Sequence, residues 1–516
     1  MKLVTVSEMK AIEQQADAGG LTYAKMMENA GDGLAELVYE LGQENGWNEA
    51  LGLVGPGNNG GDTLVALTQL AREGWRARAY CVKRKTEGDE LAQRLVGCGG
   101  ELVLAESDDE FESLAALIES ADVLLDGVLG TGIKLPLKPD AAMVLFAVRG
   151  ILASLETRPV IIAVDCPSGV DCDTGEAAEE CIPADITITM AAVKQGLLRF
   201  PAHEFTGEIE VVDIGLPDEL PNWMKIQRFV PDPEWVAAIL PPRPPDAHKG
   251  TFGTALIAAG SVNYTGAAFL ASKAAYRVGA GLVTLAAPAP LHTALAGQLP
   301  EVTWLPLPHE NGFIARAGAI TVCQNLGRAT ALLVGPGFGL EETSRDFIAK
   351  LLEAKLPPAV FDADGLKLLA QIVDWHKRLP AQTVLTPHPG EMSVLTGLTK
   401  DEIQADREAI ALTYARQWGH VVVLKGAFTV IAAPDGRIAV NPVATSALAR
   451  AGTGDVLAGL IVGLRAQGVE AFEAAVSGVW VHAQAGLTAL GEVGSAASVI
   501  AGDVLDCVND VMSGLA

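Results

Sequence analysis

Short apolar runs alternate with amphipathic helical patterns along almost all of the 516 residues. From Lys25 to Leu41, apolar residues recur at three- and four-residue steps, which is typical of a helix with one buried face. Strand-like runs such as "ALGLVG" and "RPVIIAVDC" follow, and further helical stretches separate them. This alternation predicts mostly parallel sheets with helices on both faces, and therefore an α/β fold.

One proline-rich segment, "LPPRPPDAHKG", interrupts this alternation between Leu240 and Gly250. Proline continues neither a helix nor a β-ladder, so the segment indicates the start of a second domain. We place a linker near residues 218–228 and expect domains at residues 1–217 and 226–516. The second half contains no obvious repeat of the first, which favours two unrelated catalytic or binding units.

Composition and charge exclude several classes of function. Lys+Arg 37 against Asp+Glu 63 gives a net charge of −26, which repels nucleic acid, so any phosphate must be bound locally. No apolar run approaches the roughly 18 residues of a membrane span, so we expect no membrane partner. The 7 cysteines form no CxxC pair, which favours reduced thiols in a cytoplasmic protein over structural zinc.

A glycine-rich turn follows the first strong strand pattern in "LVGPGNNGGDTLVALTQL". Gly55, Gly57 and Gly60 satisfy the dinucleotide fingerprint, although such turns also occur for packing reasons alone. A site for NAD as a cofactor also needs an acid about 20 residues later, and "CVKRKTEG" offers cations there instead. The tail "NNGGD" adds side-chain oxygens, so the turn is suited to hold more than a phosphate.

Two further polar loops follow strand patterns in the first half. "DGVLGTG" contains Asp126 and Thr131, and "AVDCPSGVDCDTG" contains Asp165 and Ser168. Loops at the carboxyl ends of parallel strands meet at one crevice. A lone aspartate after a strand is more often a helix cap or an Asx-turn, but three polar loops at one crevice favour a functional site.

A second candidate site lies near the carboxyl end, in "ARAGTGDVLAGLIVG". Asp455 directly precedes an apolar helix whose first backbone N–H groups can bind an anion, and its carboxylate can act as a base. This arrangement suits phosphoryl transfer to a hydroxyl, whereas the alternative is an ordinary capped helix. "LLVGPGFGL", "LTPHPGEM" with His388 and "LKGAFTVI" with Lys425 add polar loops, and His388 either lines a cleft or is a satisfied core histidine.

The first half resembles the NAD(P)H-hydrate epimerase domain over roughly residues 1–215, through "GPGNNGGD", "DGVLGTGI", "AVDCPSGVDCDTG" and "VKQGLL". The resemblance implies a Rossmann-like three-layer fold in which the nucleotide is the substrate, a hydrated NAD(P)H whose two epimers interconvert. It implies catalysis at Asp165, whereas Lys194 is a weaker candidate that a surface position explains equally well. Thr63 departs from the family, which usually has a third glycine there.

The same resemblance implies two sets of ligand contacts. A potassium ion would bind to Asn59, Asp126 and Ser168. The hydrate would contact Asn58, Asn59, Gly60, Gly61, Asp62, Gly130, Thr131, Gly132, Ile133, Lys134, Leu135, Pro136 and Asp165.

The second half resembles the ADP- or ATP-dependent NAD(P)H-hydrate dehydratase, a ribokinase-like α/β fold, over nearly all of residues 226–516. "AHKGTFG", "VGPGFG", "FDADGLKLL", "TPHPGE", "LKGAFT" and "AGTGD" carry the resemblance. It implies that ADP or ATP with Mg²⁺ phosphorylates the hydrate, that phosphate then leaves, and that Asp455 is the base. The hydrate would contact Ala267, Gly337, His388 and Asp455, and the nucleotide would contact Lys425, Gly426, Ala427, Phe428, Thr429, Gly452, Thr453 and Gly454.

Together the two resemblances predict a bifunctional nicotinamide-nucleotide repair enzyme. It would epimerise the R and S forms of NAD(P)H hydrate and dehydrate the S form, as a homo-oligomer in the cytoplasm. One alternative is a ribokinase-like kinase of small alcohols with an amino-terminal nucleotide-binding module. Another is a dehydratase whose amino-terminal half is only an interaction module. The choice between ADP and ATP, and between NADH and NADPH hydrate, stays open at this point.

Overall fold

The structure, a computed structural model, describes residues 1–515. The chain divides into two compact units between Arg228 and Phe229. The segment 218–228, where we expect a linker, belongs to the first unit: Leu220 is buried there, and the Asn222 backbone N–H donates to Gln15 Oε1 at 2.9 Å.

The first unit is built from nine strands and eight α-helices. They are β1 (Leu3–Val4), α1 (Val6–Ala18), α2 (Tyr23–Asn45), β2 (Glu49–Val54), α3 (Asn58–Arg72), β3 (Arg76–Cys81), α4 (Glu90–Gly97), β4 (Glu101–Leu104), α5 (Glu112–Glu119), β5 (Val123–Gly127), α6 (Pro139–Ser154), β6 (Val160–Val164), β7 (Ile186–Met190), β8 (Val193–Lys194), α7 (His203–Thr206), β9 (Glu208–Val212) and α8 (Pro221–Met224).

Seven parallel strands form the main sheet of this unit, in the order β4-β3-β2-β5-β6-β7-β9. One face packs against a core that includes Leu34 of α2 and Leu64 of α3, and the other against a core that includes Leu114 of α5 and Leu145 of α6. The expected three-layer α/β arrangement is therefore confirmed. The chain crosses over between β2 and β5, and a crevice opens at such a switch point of a parallel sheet.

The second unit follows a short strand, β10 (Arg228–Phe229), at the boundary. Its elements are α9 (Pro233–Ile239), β11 (Thr254–Ala258), α10 (Thr265–Arg277), β12 (Leu282–Pro288), α11 (Ala289–Leu295), β13 (Thr303–Leu307), β14 (His309–Glu310), β15 (Phe313–Ile314), α12 (Gly318–Asn325), β16 (Ala331–Val334), α13 (Glu342–Leu351), β17 (Ala359–Phe361), α14 (Asp364–Leu369), α15 (Trp375–Arg378), β18 (Val384–Leu385), α16 (Pro389–Thr396), α17 (Lys400–Ala405), α18 (Arg407–Trp418), β19 (Val421–Leu424), β20 (Val430–Ala432), β21 (Ile438–Val440), α19 (Thr453–Ala466), α20 (Ala471–Val493) and α21 (Ala501–Gly514).

The large sheet of the second unit has the order β10-β21-β20-β19-β18-β17-β16-β11-β12-β13. The run from β19 to β13 is parallel, whereas β20 pairs antiparallel with both β19 and β21. Its core combines strand residues such as Ile257 and Leu333 with Ile461 of α19 and Val476 of α20. This unit also has the expected α/β class. Within residues 1–515, every helix is too short or too polar to cross a bilayer.

Candidate functional site

The first unit contains a cavity of about 410 Å³ that the three polar loops share. One side is formed by residues that follow β2, β5 and β6, and the other by α1 and α2. The lining residues are Val6, Met9, Lys10, Glu13, Tyr23, Ala24, Met26, Met27, Ala30, Asn58, Asn59, Asp62, Thr131, Asp165, Met190, Lys194 and Ile214. The crevice expected from the strand order is therefore present.

The glycine-rich turn after β2 allows a close approach of backbone to backbone. A Cβ at Gly55 would lie 1.8 Å from the carbonyl oxygen of Val128, and one at Gly60 would lie 2.0 Å from the carbonyl oxygen of Gly55. No larger residue fits either position without moving the backbone. The turn thus holds the start of α3, and its free N–H groups, against the loop after β5.

Arg84 occupies the region where a site for NAD as a cofactor needs an acid. Its guanidinium donates to the carbonyl oxygens of Gly55 at 3.0 Å and Gly57 at 3.3 Å. An ion pair with Asp89, at 2.6 Å, holds it in place. The cation therefore braces the glycine-rich turn, which agrees with the absence of a ribose-binding acid in the sequence.

Thr63, the departure from the family pattern, is accommodated inside α3. Its hydroxyl donates to the carbonyl oxygen of Asn59 at 2.7 Å. A Cβ on Gly52 would lie 2.6 Å from the Thr63 methyl carbon, and a Cβ on Gly127 would lie 2.0 Å from its hydroxyl oxygen. The bulk of Thr63 thus occupies space left by glycines on β2 and β5.

Asp165 follows β6 with a left-handed backbone, at φ 65°. Its Oδ1 accepts hydrogen bonds from the Met190 backbone N–H at 3.0 Å and the Thr189 hydroxyl at 3.1 Å, and it forms an ion pair with Lys194. Lys194 is 1% exposed, so the surface position that its sequence allowed is wrong. Since all three bonds fall on Oδ1, the second carboxylate oxygen is left for a ligand in the cavity.

Two more acids share this cavity with Asp165. Burial, and then the charges of Asp165 and Glu13, raise the pKa of Asp62 well above its usual value. Burial and the charge of Asp165 likewise raise the pKa of Glu13, on α1. The cavity therefore groups three carboxyl groups around the single buried ammonium of Lys194. Two acids with raised pKa values beside a third that is ion-paired suit proton exchange with a bound hydroxyl.

The three residues expected to bind potassium lie in one connected network. The Ser168 hydroxyl donates to Asp126 Oδ1 at 2.6 Å, and its backbone N–H donates to Asp126 Oδ2 at 2.8 Å. Asn59 Nδ2 and Ser168 Oγ both reach the Leu129 carbonyl oxygen, at 3.3 and 3.4 Å. Burial raises the pKa of Asp126 despite the Ser168 bonds. A bound cation would stabilise this buried carboxylate.

The other expected hydrate contacts divide into two groups. Gly60 and Gly61 are buried in the packing of α3, and Gly130 lies against the Asn59 side chain. Residues 132–136 form a partly exposed loop, and among the described residues this loop does not line the cavity. Asn58, Asn59, Asp62, Thr131 and Asp165 do line it.

The second unit has a cavity of about 190 Å³ at the start of α19. Six residues expected to bind the nucleotide line it, namely Lys425, Gly426, Ala427, Thr429, Thr453 and Gly454. Phe428 is buried, and Gly452 caps α19 with a left-handed backbone at φ 95°. Within the described residues these two lie beside the cavity rather than in its lining. The Thr453 N–H donates to the Arg450 carbonyl oxygen at 3.4 Å, but Gly452 provides no side-chain cap, so the next N–H groups of α19, those of Gly454 and Asp455, are available to an anion.

Lys425 connects this cavity to a group of acids. Its Nζ bonds Asp362 at 2.7 Å and lies 3.8 Å from Glu391. Burial opposes the charge on Glu391, but the hydrogen bonds from His388 and the charge of Lys425 lower its pKa to about 2. A Cβ on Gly454 would lie 3.5 Å from Lys425 Nζ, so the ammonium lies next to the amino-terminal end of α19.

Asp455, in the first turn of α19, is the acid of this site whose pKa is raised to near neutral pH. Burial, and then the charge of Asp362, raise its pKa to about 7, although Lys425 acts in the opposite direction. A carboxyl group with this pKa gains and loses a proton near neutral pH. It is therefore suited to take a proton from a hydroxyl beside bound phosphate.

Of the other residues expected to bind the hydrate, His388 lies beside one of these acids, whereas Ala267 and Gly337 lie beside each other. A Cβ on Gly337 would lie 2.8 Å from that of Ala267, so these two residues are adjacent. His388 caps α16, with Nδ1 accepting from the backbone N–H of Gly390, and its Nε2 is 3.3 Å from Glu391. His388 is about half exposed, so the satisfied core position that was its alternative is wrong.

Comparison with known proteins extends these observations to the whole chain. Residues 23–196 match the family described as YjeF-related protein N-terminus, and residues 255–506 match that described as NAD(P)H-hydrate dehydratase. A bifunctional NAD(P)H-hydrate repair enzyme of Moorella thermoacetica is 37% identical over 100% of this chain and 97% of its own length. The enzyme of the same description from Thermofilum pendens is 36% identical over 96% and 93%, respectively. The chain belongs to the family of bifunctional NAD(P)H-hydrate repair enzymes.

Solved structures similar to this repair enzyme include the ADP/ATP-dependent NAD(P)H-hydrate dehydratase of Bacillus subtilis, co-crystallised with ATP and Mg²⁺. It is 32% identical, covers 55% of this chain and 98% of its own, and has a TM-score of 0.48.

Sequence reasoning missed several polar residues of the two cavities in this repair enzyme, among them Glu13, Asn441 and His482. Glu13 lies one turn after Met9 on α1, and an acid on that apolar stripe was the available signal. Asn441 and His482 line the second cavity. His482 lies in the apolar helix α20, where a histidine is usually a core residue, so its sequence gave no distinct signal.

Proposed function

We propose that the first unit epimerises the R and S forms of NAD(P)H hydrate, and that the second converts the S form to NAD(P)H with ADP or ATP and Mg²⁺. The observation that carries this proposal is Asp455, an acid with a pKa of about 7 beside Lys425 and the free N–H groups of α19. Base, cation and anion site are the three parts that phosphoryl transfer to a hydroxyl needs.

In the epimerase cavity, the reacting ring carbon bears a hydroxyl next to the ring nitrogen. Its C–O bond opens with the electron pair going to oxygen, the departing oxygen takes a proton, and water returns to either face. The raised pKa of Asp62 favours its protonated form, which can donate this proton. Asp165, held by Lys194, accepts a proton through its second oxygen when water adds back, and return of that proton to Asp62 restores both acids for the next turnover.

Asn59, Asp126 and Ser168 are proposed to hold a potassium ion. Their oxygens, with the Leu129 carbonyl, are the hard donors that an alkali cation prefers, and the buried Asp126 carboxylate fits a positive charge. When bound, the ion would add positive charge beside the anionic substrate. We expect K⁺, more than Na⁺, to raise the thermal unfolding temperature of the native chain. An equal response of the Asp126→Asn variant to K⁺ would contradict this assignment.

In the dehydratase cavity, Asp455 takes the proton of the hydrate hydroxyl as its oxygen attacks phosphorus. The bond from phosphorus to the leaving nucleotide oxygen breaks, which gives AMP from ADP or ADP from ATP. Phosphate then leaves with the electron pair of the C–O bond, and loss of a proton from the adjacent ring carbon restores NAD(P)H. Lys425 and the N–H groups of α19 stabilise the phosphoryl charge.

Residues for the other ligands of this unit are proposed from their positions. Ala267, Gly337 and His388 would position the hydrate, and residues 425–429 with 452–454 would bind the nucleotide. Mg²⁺ bound with the nucleotide would neutralise phosphate charge, and the carboxylates of Asp362 and Glu391 beside Lys425 are the hard oxygen donors that would hold it. The seven free cysteines agree with a reducing, cytoplasmic location. We also propose a homo-oligomer, which sedimentation of the purified chain would test.

The deciding experiment mixes the purified chain with both epimers of NADH or NADPH hydrate, adds ADP or ATP in turn, and follows the return of dihydronicotinamide absorbance. Complete recovery, faster than spontaneous epimer exchange, supports both activities and identifies the donor. Recovery of one epimer alone would leave only the dehydratase. Phosphate transfer to a small alcohol without repair of the hydrate would instead support the kinase alternative.

A further inference from the structure

Two buried polar atoms in the cavity of the second unit have no hydrogen-bond partner among the described residues. They are Asn441 Oδ1 and His482 Nε2. The two side chains line the cavity and are only 2% and 8% exposed. Unpaired buried polar atoms are rare in folded proteins, because burial removes the hydrogen bonds that water would make. Both atoms therefore indicate a ligand that supplies donors.

Both atoms are acceptors. The backbone carbonyl of Thr453 takes a hydrogen bond from the His482 ring, which leaves Nε2 with a lone pair when the ring is neutral. Burial lowers the pKa of His482 to about 4, so the ring is neutral at physiological pH. Asn441 Oδ1 is an amide carbonyl oxygen. The ligand must therefore present two N–H or O–H groups.

The rest of the cavity limits which part of a nucleotide these acceptors meet. Lys425 and the first turn of α19 provide a polar region that suits phosphate. The lining also includes the apolar side chains of Val443, Leu448 and Val479, which suit an aromatic base. An exocyclic amino group on such a base carries two N–H donors, one for each acceptor.

We infer that Asn441 and His482 accept hydrogen bonds from the exocyclic amino group of the adenine ring, and so make the dehydratase selective for adenine nucleotides. The inference rests on the proposed function, because it takes this cavity as the nucleotide site. It adds a base-recognising pair to a site whose expected contacts came only from residues 425–429 and 452–454.

The first test uses the unaltered chain and calorimetric titration with three nucleotides, without the hydrate. ADP has the amino group, IDP has an oxygen in its place, and 2′-deoxy-ADP lacks one ribose hydroxyl. We expect IDP to bind at least about tenfold more weakly than ADP, and 2′-deoxy-ADP to bind nearly as well as ADP. Equal affinity for ADP and IDP would overturn the inference. Weakened binding of 2′-deoxy-ADP alone would assign the acceptors to the ribose and would also overturn it.

Failure of the proposed function gives a different result in the same titration. If none of the three nucleotides binds, the cavity is not a nucleotide site, and the inference falls with it. If ADP binds and supports repair but IDP does both equally well, the proposed function stands and only base recognition is overturned.

A variant pair separates recognition from stability. His482→Phe should bring ADP affinity down to that of IDP and leave IDP affinity nearly unchanged. The matched control is His420→Phe, since His420 is also buried and has an unpartnered ring nitrogen but does not line the cavity. That control should keep the ADP-to-IDP ratio. If His482→Phe fails to fold, Asn441→Leu tests the same ratio, and an unchanged ratio in the folded variant contradicts the inference.

Discussion

Both units place an aspartate at or beside a cavity, but among the described residues only the aspartate of the first unit has a direct ion-pair partner. Asp165 forms a direct ion pair with the fully buried Lys194. The cation near Asp455 is Lys425, which gives its hydrogen bond to Asp362 instead, and the pKa of Asp455 rises to about 7. An ion-pair partner holds the carboxylate of Asp165 in one orientation. Within residues 1–515, Asp455 has no such partner, and its raised pKa lets it gain and lose a proton near neutral pH. The same residue type is thus prepared for two different steps.

The largest expected effect is loss of repair in Asp455→Asn. An amide cannot accept the hydroxyl proton, so ADP- or ATP-dependent return of dihydronicotinamide absorbance should fall about 10²- to 10⁴-fold. Exchange between the two epimers should not change. Asp435→Asn, which alters an acid paired with Arg437 at a turn of the same unit, is the control. A repair rate close to that of the unaltered chain would refute the role of Asp455 as the base.

Asp165→Asn should give the reverse pattern. Epimer exchange should slow by about 10²-fold because proton transfer at the reacting oxygen is lost, while the S epimer is still repaired. Chromatography of the two epimers over time measures this exchange. Asp218→Asn changes an exposed acid of the same unit and should leave exchange intact. If Asp165→Asn exchanges the epimers normally, the comparison between the two aspartates loses its functional meaning.

Replacing Lys194 tests whether its ion pair with Asp165 stabilises the first unit. In Lys194→Met, Asp165 is left without its buried cation, and the free energy of unfolding of the first unit should fall by about 3 kcal/mol. Denaturant unfolding measures the change. Lys10→Met is the control, because Lys10 also lines the cavity but is exposed and should contribute little. Equal stability of both variants would show that the ion pair does not hold Asp165.

The pH dependence of repair should reflect the mobile proton of Asp455. Its pKa is raised to about 7, so the basic form is lost as the pH falls through 7. The repair value of kcat/KM should therefore decrease by about tenfold per unit below that point. The charge of Asp364 contributes to the raised pKa, so Asp364→Asn should move the midpoint to lower pH. A flat profile between pH 5 and 8 would contradict the assignment of the base.

The sequence predicted most of the strands because their apolar runs are local. "RARAYCV" corresponds to β3 and "ADITITM" to β7. "HVVVLKGAFTVIAA" is one largely apolar stretch in the sequence, and it forms the antiparallel pair β19 and β20 because the backbone reverses at Gly426 and Phe428, both with positive φ. The segment 218–228 looked like a linker because the alternation of strand and helix patterns breaks down after Pro217, yet Leu220 is buried against the first unit. That packing depends on distant residues.

In the candidate sites, too, the residues within local motifs could be predicted, whereas those brought together from distant segments could not. Asp165 and Asp455 could be singled out because the residues around each form a compact motif. Glu13 could not, since it reaches the cavity from a helix about 150 residues before Asp165 in the chain. Asn441 and His482 were missed for the same reason, because only the folded chain brings β21 and α20 to the start of α19.

The accommodation of Thr63 has a consequence for how this chain can change. Its methyl and hydroxyl occupy space that a Cβ on Gly52 or on Gly127 would need. Either glycine can be replaced without a clash at this point only after Thr63 has been reduced to a smaller residue. The three positions are therefore epistatic, although a Cβ on Gly52 would also lie 2.8 Å from Leu67 Cδ1, so that side chain has to shift as well.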